Sequence, residues 1–176
     1  MNRHDFSGLA LSYVEELAAY ARRLCRNDWD ADDLLQGVFE QAFRSWTSLS
    51  DEAHCRAWLF RIARNLHIDR GRRSAARPEL RLVDPGDAIA PSGFISAEHV
   101  ERLDAHELEA ALLQLPAEQR EALLLCDLWG FRYEEIAVIT GVPVGTVRSR
   151  ISRARSLAAG LLLSGRRPAS VPRGKP

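Results

Sequence analysis

LPAEQREALLLCDLWGFRYEEIAVITGVPVGTVRSRISRAR, residues 115–155, decides how this 176-residue chain is read. Its apolar residues recur at helical spacing, and Gly141 separates a short helix from a longer one that starts near Pro143. Two helices joined by a tight glycine turn carry a helix-turn-helix signature. From Arg148, at about 100° per residue, Ser149 lies near 100°, Ser152 near 40° and Arg155 near −20°. Val147, Ile151, Ala154 and Ala158 fall together on the opposite side, as a core stripe should. The polar face offers guanidinium groups, which pair bidentately with guanine or bind phosphate, and hydroxyls that reach base edges or phosphate. Arg150 and Arg153 sit on the flank, where phosphate contact is the better fit. An isolated RxRxxRxR run would read as a solvated basic face. Here it follows the turn at the right distance, and no acid follows Glu135, so DNA contact is expected.

Upstream, the spacing predicts helices over about 104–114 and 117–128, with Pro116 suited to the first turn of the second. Before them, Ser74 to about Leu103 is punctuated by Pro78, Pro85, Gly86, Pro91 and Gly93 and keeps no period. Thirty such residues within one compact domain would be unusual, so the segment reads as a linker. Three helices precede it. The first covers about 8–26. The second is expected to be capped by Asp30, with Asp32 and Asp33 in its first turn and Leu35, Val38, Phe39, Ala42 and Trp46 inward. The third, about 54–72, turns Cys55, Leu59, Ile62, Ala63 and Leu66 inward and Arg61, Arg64, Asn65, Ile68 and Arg72 outward. No segment argues for a strand. The expected fold is all-α: two small helical domains, 1–73 and 104–163, joined by a flexible linker over 74–103 and followed by a basic disordered tail over 164–176.

The chain holds 24 Lys+Arg and 24 Asp+Glu, and their cancellation hides segregation. Residues 1–47 carry net −3, 48–82 net +4, 83–135 net −9 and 136–176 net +8. Alternating blocks of this kind speak of partners rather than of fold. No apolar run reaches the roughly 18 residues that span a bilayer, and the first residues lack a signal peptide's apolar stretch. Cys25, Cys55 and Cys126 form no CxxC pair, and an odd number is not a disulfide framework. A cytoplasmic protein is expected. Phosphate-loop and dinucleotide fingerprints are absent, His99 and His106 stand seven apart with no third ligand arranged near them, and no cleft is implied by the helical carboxylates. The expectation is a protein that is not an enzyme and needs neither cofactor nor metal.

Three stretches together resemble a known family: DADDLLQGVFEQAFRSW (30–46), AWLFRIARNLHIDRGRR (57–73) and residues 115–155 quoted above. In that order they are similar to the extracytoplasmic-function (ECF) class of bacterial sigma-70 factors, which direct RNA polymerase to promoters. The resemblance implies two helical domains, regions 2 and 4, and places roles on particular residues. Asp32, Asp33, Leu34, Leu35 and Gln36 match the segment that docks on the clamp helices of the polymerase β′ subunit. Arg61, Arg64, Asn65 and Arg72 become candidates for the −10 element, with the loop Ser48 to Ala57 as the part that captures an unstacked base. Trp58, at the margin of the core stripe, reads as structural. Arg148, Ser149, Arg150, Ser152 and Arg153 fall where the family reads the −35 element. The implied partners are core RNA polymerase, through clamp and β flap, promoter DNA and an anti-sigma factor, without membrane insertion. Gly37 departs from the pattern, standing inside a helix where the family usually has an acid; there it costs about 1 kcal/mol relative to Ala.

Residues 115–160 alone would also suit a helix-turn-helix regulator with an N-terminal dimerisation or sensing domain. DDLLQ together with WLFRIARN has no reason to occur in such a domain. A sigma-like mimic that only titrates an anti-sigma factor is the third reading, and it has no need of both basic faces.

Overall fold

The computed structural model of the chain describes residues 8–25, 27–49, 51–75 and 105–165. A helical turn over 8–11 leads into α1 (Val14–Leu24) and α2 (Asp28–Ser45). Two 3-10 turns, Trp46–Ser48 and Glu52–His54, then precede α3 (Cys55–Ala75). The second unit holds α4 (Ala105–Leu113), α5 (Ala117–Asp127), α6 (Tyr133–Thr140) and α7 (Val144–Gly165). Every regular element among the described residues is helical. The expected linker and tail fall outside the described residues, apart from Ser74 and Ala75 at the end of α3 and Ser164 and Gly165 at the end of α7.

Local chemistry sets the ends of these helices. The cap of α2 is Asn27 rather than Asp30: its side-chain oxygen accepts the Asp30 N–H at 2.8 Å, and its amide donates to the Asp30 carboxylate at 2.9 Å. Asp30 is thereby a first-turn acid, as the helix dipole favours. Pro116 stands just before α5, one place earlier than a first-turn proline, and its carbonyl accepts the N–H groups of Gln119 and Arg120 at 2.9 Å each. Glu135 caps the start of α6 by accepting the Arg132 N–H at 2.8 Å. Gly141 ends α6 in the left-handed region, φ 72° and ψ 26°, and its N–H reaches the Ala137 carbonyl at 2.9 Å. Only a residue without a Cβ takes that conformation freely, and Pro143 then starts α7 by accepting the Thr146 N–H at 2.8 Å.

Within the first unit α1 and α3 pack on α2, and within the second α5 and α7 form the main pair, with α6 against both. Leu17, Val38, Leu59 and Phe60 are fully enclosed in the first; Leu125, Ile136, Ile139, Val147 and Ile151 in the second. Each such side chain contributes about 1.5–3 kcal/mol through removal from water. Of the stripe expected on α2, Val38 and Ala42 are buried and Phe39 and Trp46 half-buried, while Leu34 is fully buried where Leu35, expected inward, is only half-buried. Trp58 is buried, as a structural tryptophan should be.

The two cores are continuous, because α3 also packs on α6. Tyr20 stacks on Phe60 at 4.7 Å, while Trp129 and Phe131, from the turn between α5 and α6, meet these rings edge-on at 5.2 and 4.8 Å. Gly130, between the two aromatics, takes the left-handed φ of 66° in that turn.

The Gly141 turn can be tested by substitution. A Cβ at this position meets nothing within 4 Å, so only the backbone angle opposes it. Gly141→Ala should lower the unfolding free energy by about 1–2 kcal/mol, and Gly141→Asn by clearly less, in urea denaturation. Equal losses would contradict a left-handed requirement.

Candidate nucleic-acid and polymerase interfaces

The outer face of α7 forms as its wheel predicts. Val147, Ile151, Ala154 and Ala158 are buried against the domain, while Arg148, Ser152 and Arg153 are exposed. The remaining polar groups are engaged internally. The Ser149 hydroxyl donates to the Thr146 carbonyl at 2.9 Å. Arg150, with 16% of its side chain exposed, is ion-paired with Glu118 of α5. Arg155 binds Asp127 through two nitrogens, at 2.6 and 3.3 Å, and this pairing pushes its guanidinium pKa up. Two of the helix's arginines therefore fasten it to α5. Arg148, Ser152 and Arg153 are left to meet a ligand.

Along α3 the nominated residues divide in the same way. Arg61, Asn65 and Arg72 are exposed. Arg64 instead lies in the seam between the two units, its Nε 2.7 Å from Glu121 of α5, with both side chains 19% exposed. Burial opposes the charge on Arg64, but Glu121 more than restores it. Nothing in the local sequence points to this pair, because its members stand 57 positions apart. His67, half-buried on the same helix, has its pKa lowered by burial, against the pull of Glu121. In the segment before α3, Asp51 to His54 are exposed, and the Asp51 carboxylate accepts the Ala53 N–H at 3.0 Å.

On α2, Asp32, Asp33 and Gln36 project outward, and Leu34, at 0% exposure, can only hold the helix in place. Leu35 is half-buried between these two roles. Asp33 pairs with Arg70 of α3 at 2.8 Å, and Gln36 donates to Glu40 at 2.9 Å. Gly37 explains how Arg70 reaches across: a Cβ there would stand 3.1 Å from the Arg70 guanidinium, which also donates to the Asp33 carbonyl. Trp29, 84% exposed, extends the outer face by one turn. Its spacing to Asp32, Asp33 and Gln36 is helical, so the sequence held this signal.

Among the described residues no group of three or more His, Cys, Asp or Glu is placed to hold a metal ion. Burial pushes the Cys25 and Cys55 thiols up to about 11, so both stay protonated at neutral pH. No described helix is long and apolar enough to cross a membrane.

A helix-turn-helix with an exposed arginine and serine face, joined to a helical unit with one basic and one acidic surface, defines a DNA-binding protein with a second macromolecular contact. Comparison with known proteins makes the class specific. Residues 9–77 match the family described as Sigma-70 region 2, and residues 105–157 match Sigma-70, region 4. The chain is 39% identical to the ECF RNA polymerase sigma factor EcfG of Rhodopseudomonas palustris, over 86% of this chain and 82% of that protein. It is 37% identical to the ECF RNA polymerase sigma factor SigM of Mycobacterium tuberculosis, over 92% and 79%. Among solved structures it resembles the sigma factor RpoE in complex with the anti-sigma factor NepR from Bartonella quintana. That likeness has a TM-score of 0.69 and 33% identity, and covers 92% of this chain and 99% of that one. The chain belongs to the ECF class of sigma-70 RNA polymerase sigma factors.

The division of labour on α7 predicts opposite phenotypes for two neighbouring arginines. Arg148→Ala should cost about 1–3 kcal/mol of discrimination against a wrong −35 base, read by competition gel shift, with the melting temperature unchanged. Arg150→Ala should lower the melting temperature and leave base discrimination in place. The reverse pattern would show that the face has been misassigned.

Proposed function

We propose that the chain binds core RNA polymerase and directs it to promoters, acting through three surfaces. The outer face of α2, with Asp32, Asp33 and Gln36 held in register by buried Leu34 and half-buried Leu35, docks on the β′ clamp helices. Arg61, Asn65, Arg72 and, once released from Glu121, Arg64 line the path of the −10 element, with the segment 48–57 taking the displaced strand. Arg148, Ser152 and Arg153 read or track the −35 element in the major groove, with Ser149 and Arg150 behind them and the β flap held by the same unit. In this reading residues 1–73 are the clamp and −10 domain, 104–163 the −35 domain, 74–103 the connection and 164–176 a basic tail.

The single observation that carries the reading is the conjunction of surfaces. One chain holds an acidic helix face for a protein and, on two separate helices, basic faces for DNA. Guanidinium groups on those helices release counterions from phosphate, which gives affinity, while base-edge contacts give selectivity. The chain performs no chemistry of its own and uses no cofactor; it places the polymerase's active site, in the cytoplasm. An anti-sigma protein is proposed to control it, as the relative from Bartonella quintana is seen in complex with one. A helix-turn-helix regulator with a sensing domain is disfavoured, since residues 9–77 match region 2.

Run-off transcription with purified core enzyme on a promoter library tests the proposal. Adding the chain should yield promoter-dependent transcripts, and Asp33→Ala with Gln36→Ala should weaken its co-elution with core. No transcript together with no complex with core would overturn it.

A further inference from the structure

The outer face of α2 carries an aromatic ring that its acids do not explain. Trp29, 84% exposed, is the most exposed large apolar side chain among the described residues. Its neighbours on the helix surface are carboxylates. At about 100° per residue, Asp32 lies about 60° to one side of it and Asp33 about 40° to the other, each one turn further on. Gln36 follows close to the same line, about 10 Å along the axis from Trp29. Asp28, next to Trp29 in the first turn, is exposed as well.

This face is held in place from below and from the side. Asn27 closes the start of α2, accepting the Asp30 N–H through its side chain at 2.8 Å and the Ala31 N–H through its carbonyl at 3.2 Å. Ala31 and Leu34 are buried beneath. Arg70 of α3 pairs with the Asp33 carboxylate at 2.8 Å and donates to the Asp33 main-chain carbonyl at 3.2 Å. Asp28 and Asp32, in contrast, have no ion-pair partner among the described residues. The ring and two carboxylates therefore stand ready on a rigid element, where little ordering is needed on binding.

The pattern narrows what can cover it. A nucleic acid is repelled by the carboxylates. A purely apolar partner would bury the indole but strip water from those carboxylates without supplying a counter-charge. A guanidinium satisfies both: its flat face stacks on the indole while its edge donates to the acid beside it. Resting on the reading that this face docks on core polymerase, we propose that Trp29 anchors that contact by stacking on an arginine of the polymerase, with Asp32 accepting from the edge of the same guanidinium. Asp33, fixed by Arg70, and Gln36 then complete a polar border that keeps water from the stacked pair. Tryptophan and arginine are the side chains on which the affinity of protein interfaces most often concentrates.

Fluorescence anisotropy of the full chain, labelled at its N-terminal amine, gives the Kd for purified core RNA polymerase and tests the anchor. Trp29→Ala should raise that Kd about 30-fold or more. Trp29→Phe, which keeps a weaker π-face, should bind more tightly than Trp29→Leu, which keeps only apolar area. Asp32→Asn should weaken binding several-fold, and add little in a chain that already carries Trp29→Ala, because both side chains hold one guanidinium. Leu11→Ala, which truncates another exposed apolar residue away from α2, should leave the Kd unchanged. Helicity by circular dichroism should stay at the wild-type level throughout; if Trp29→Ala loses it, Trp29→Leu is scored in its place. Wild-type affinity in Trp29→Ala overturns the anchor, and Asp33→Ala with Gln36→Ala then shows whether the face docks without it. Trp29→Leu binding as tightly as Trp29→Phe, or additive losses at Trp29 and Asp32, overturns the shared arginine. A wild-type chain that forms no complex with core overturns the docking reading itself, and this inference with it.

Discussion

The contact on which the rest of this structure depends is Arg56, bonded at once to Glu16, to the Trp129 carbonyl and to the face of Phe131. A guanidinium can do this because its donors are planar and spread, while its flat face accepts an aromatic ring. Lysine offers a single point of charge and would satisfy one of these partners at a time. Around the arginine, Tyr20, Phe60, Trp129 and Phe131 supply the apolar area, so charge and burial support each other. Without that junction the chain would be two small helical units, each with a core of a few enclosed side chains. With it, the helix that carries the −10 candidates is fixed against the unit that carries the proposed −35 reader.

The same logic of shared arginines runs through both helices proposed to face DNA. On α7, Arg150 and Arg155 are held by Glu118 and Asp127 of α5, and on α3, Arg64 and Arg70 are held by Glu121 and Asp33. Partly exposed pairs of this kind are worth little to stability, often under about 1 kcal/mol. Their larger effect is to sort arginines into those that orient a helix and those that remain for a ligand. The acidic block over 83–135 supplies Glu118, Glu121 and Asp127, three of these partners. Charge segregation along the chain is thus partly internal neutralisation across the fold.

Much of this was legible in the sequence, for reasons that can be named. The helices follow apolar spacing, the Gly141 turn follows from the one residue type that tolerates its φ, and the core stripe of α7 follows from the wheel. Sequence and structure differ where two local choices are nearly equal. Asn27 and Asp30 both suit a cap, and the chain uses the first to cap and the second as a first-turn acid. Leu34 and Leu35 both suit the core stripe, and packing against α1 and α3 selected Leu34. What the sequence could not disclose was long-range: Arg64 with Glu121, Arg56 with Trp129, and Arg70 over Gly37. Each joins residues on separate helices, and no periodicity encodes which surface charge meets which.

The central claim is that the chain brings polymerase to a promoter and opens it, and permanganate reactivity of unpaired thymines tests this most directly. Core enzyme with this chain should make thymines near −10 reactive and protect the −35 region, whereas core alone should do neither. Protection at −35 without reactive thymines would reduce the chain to a DNA-binding protein. Reactivity equal to that of core alone would contradict the account.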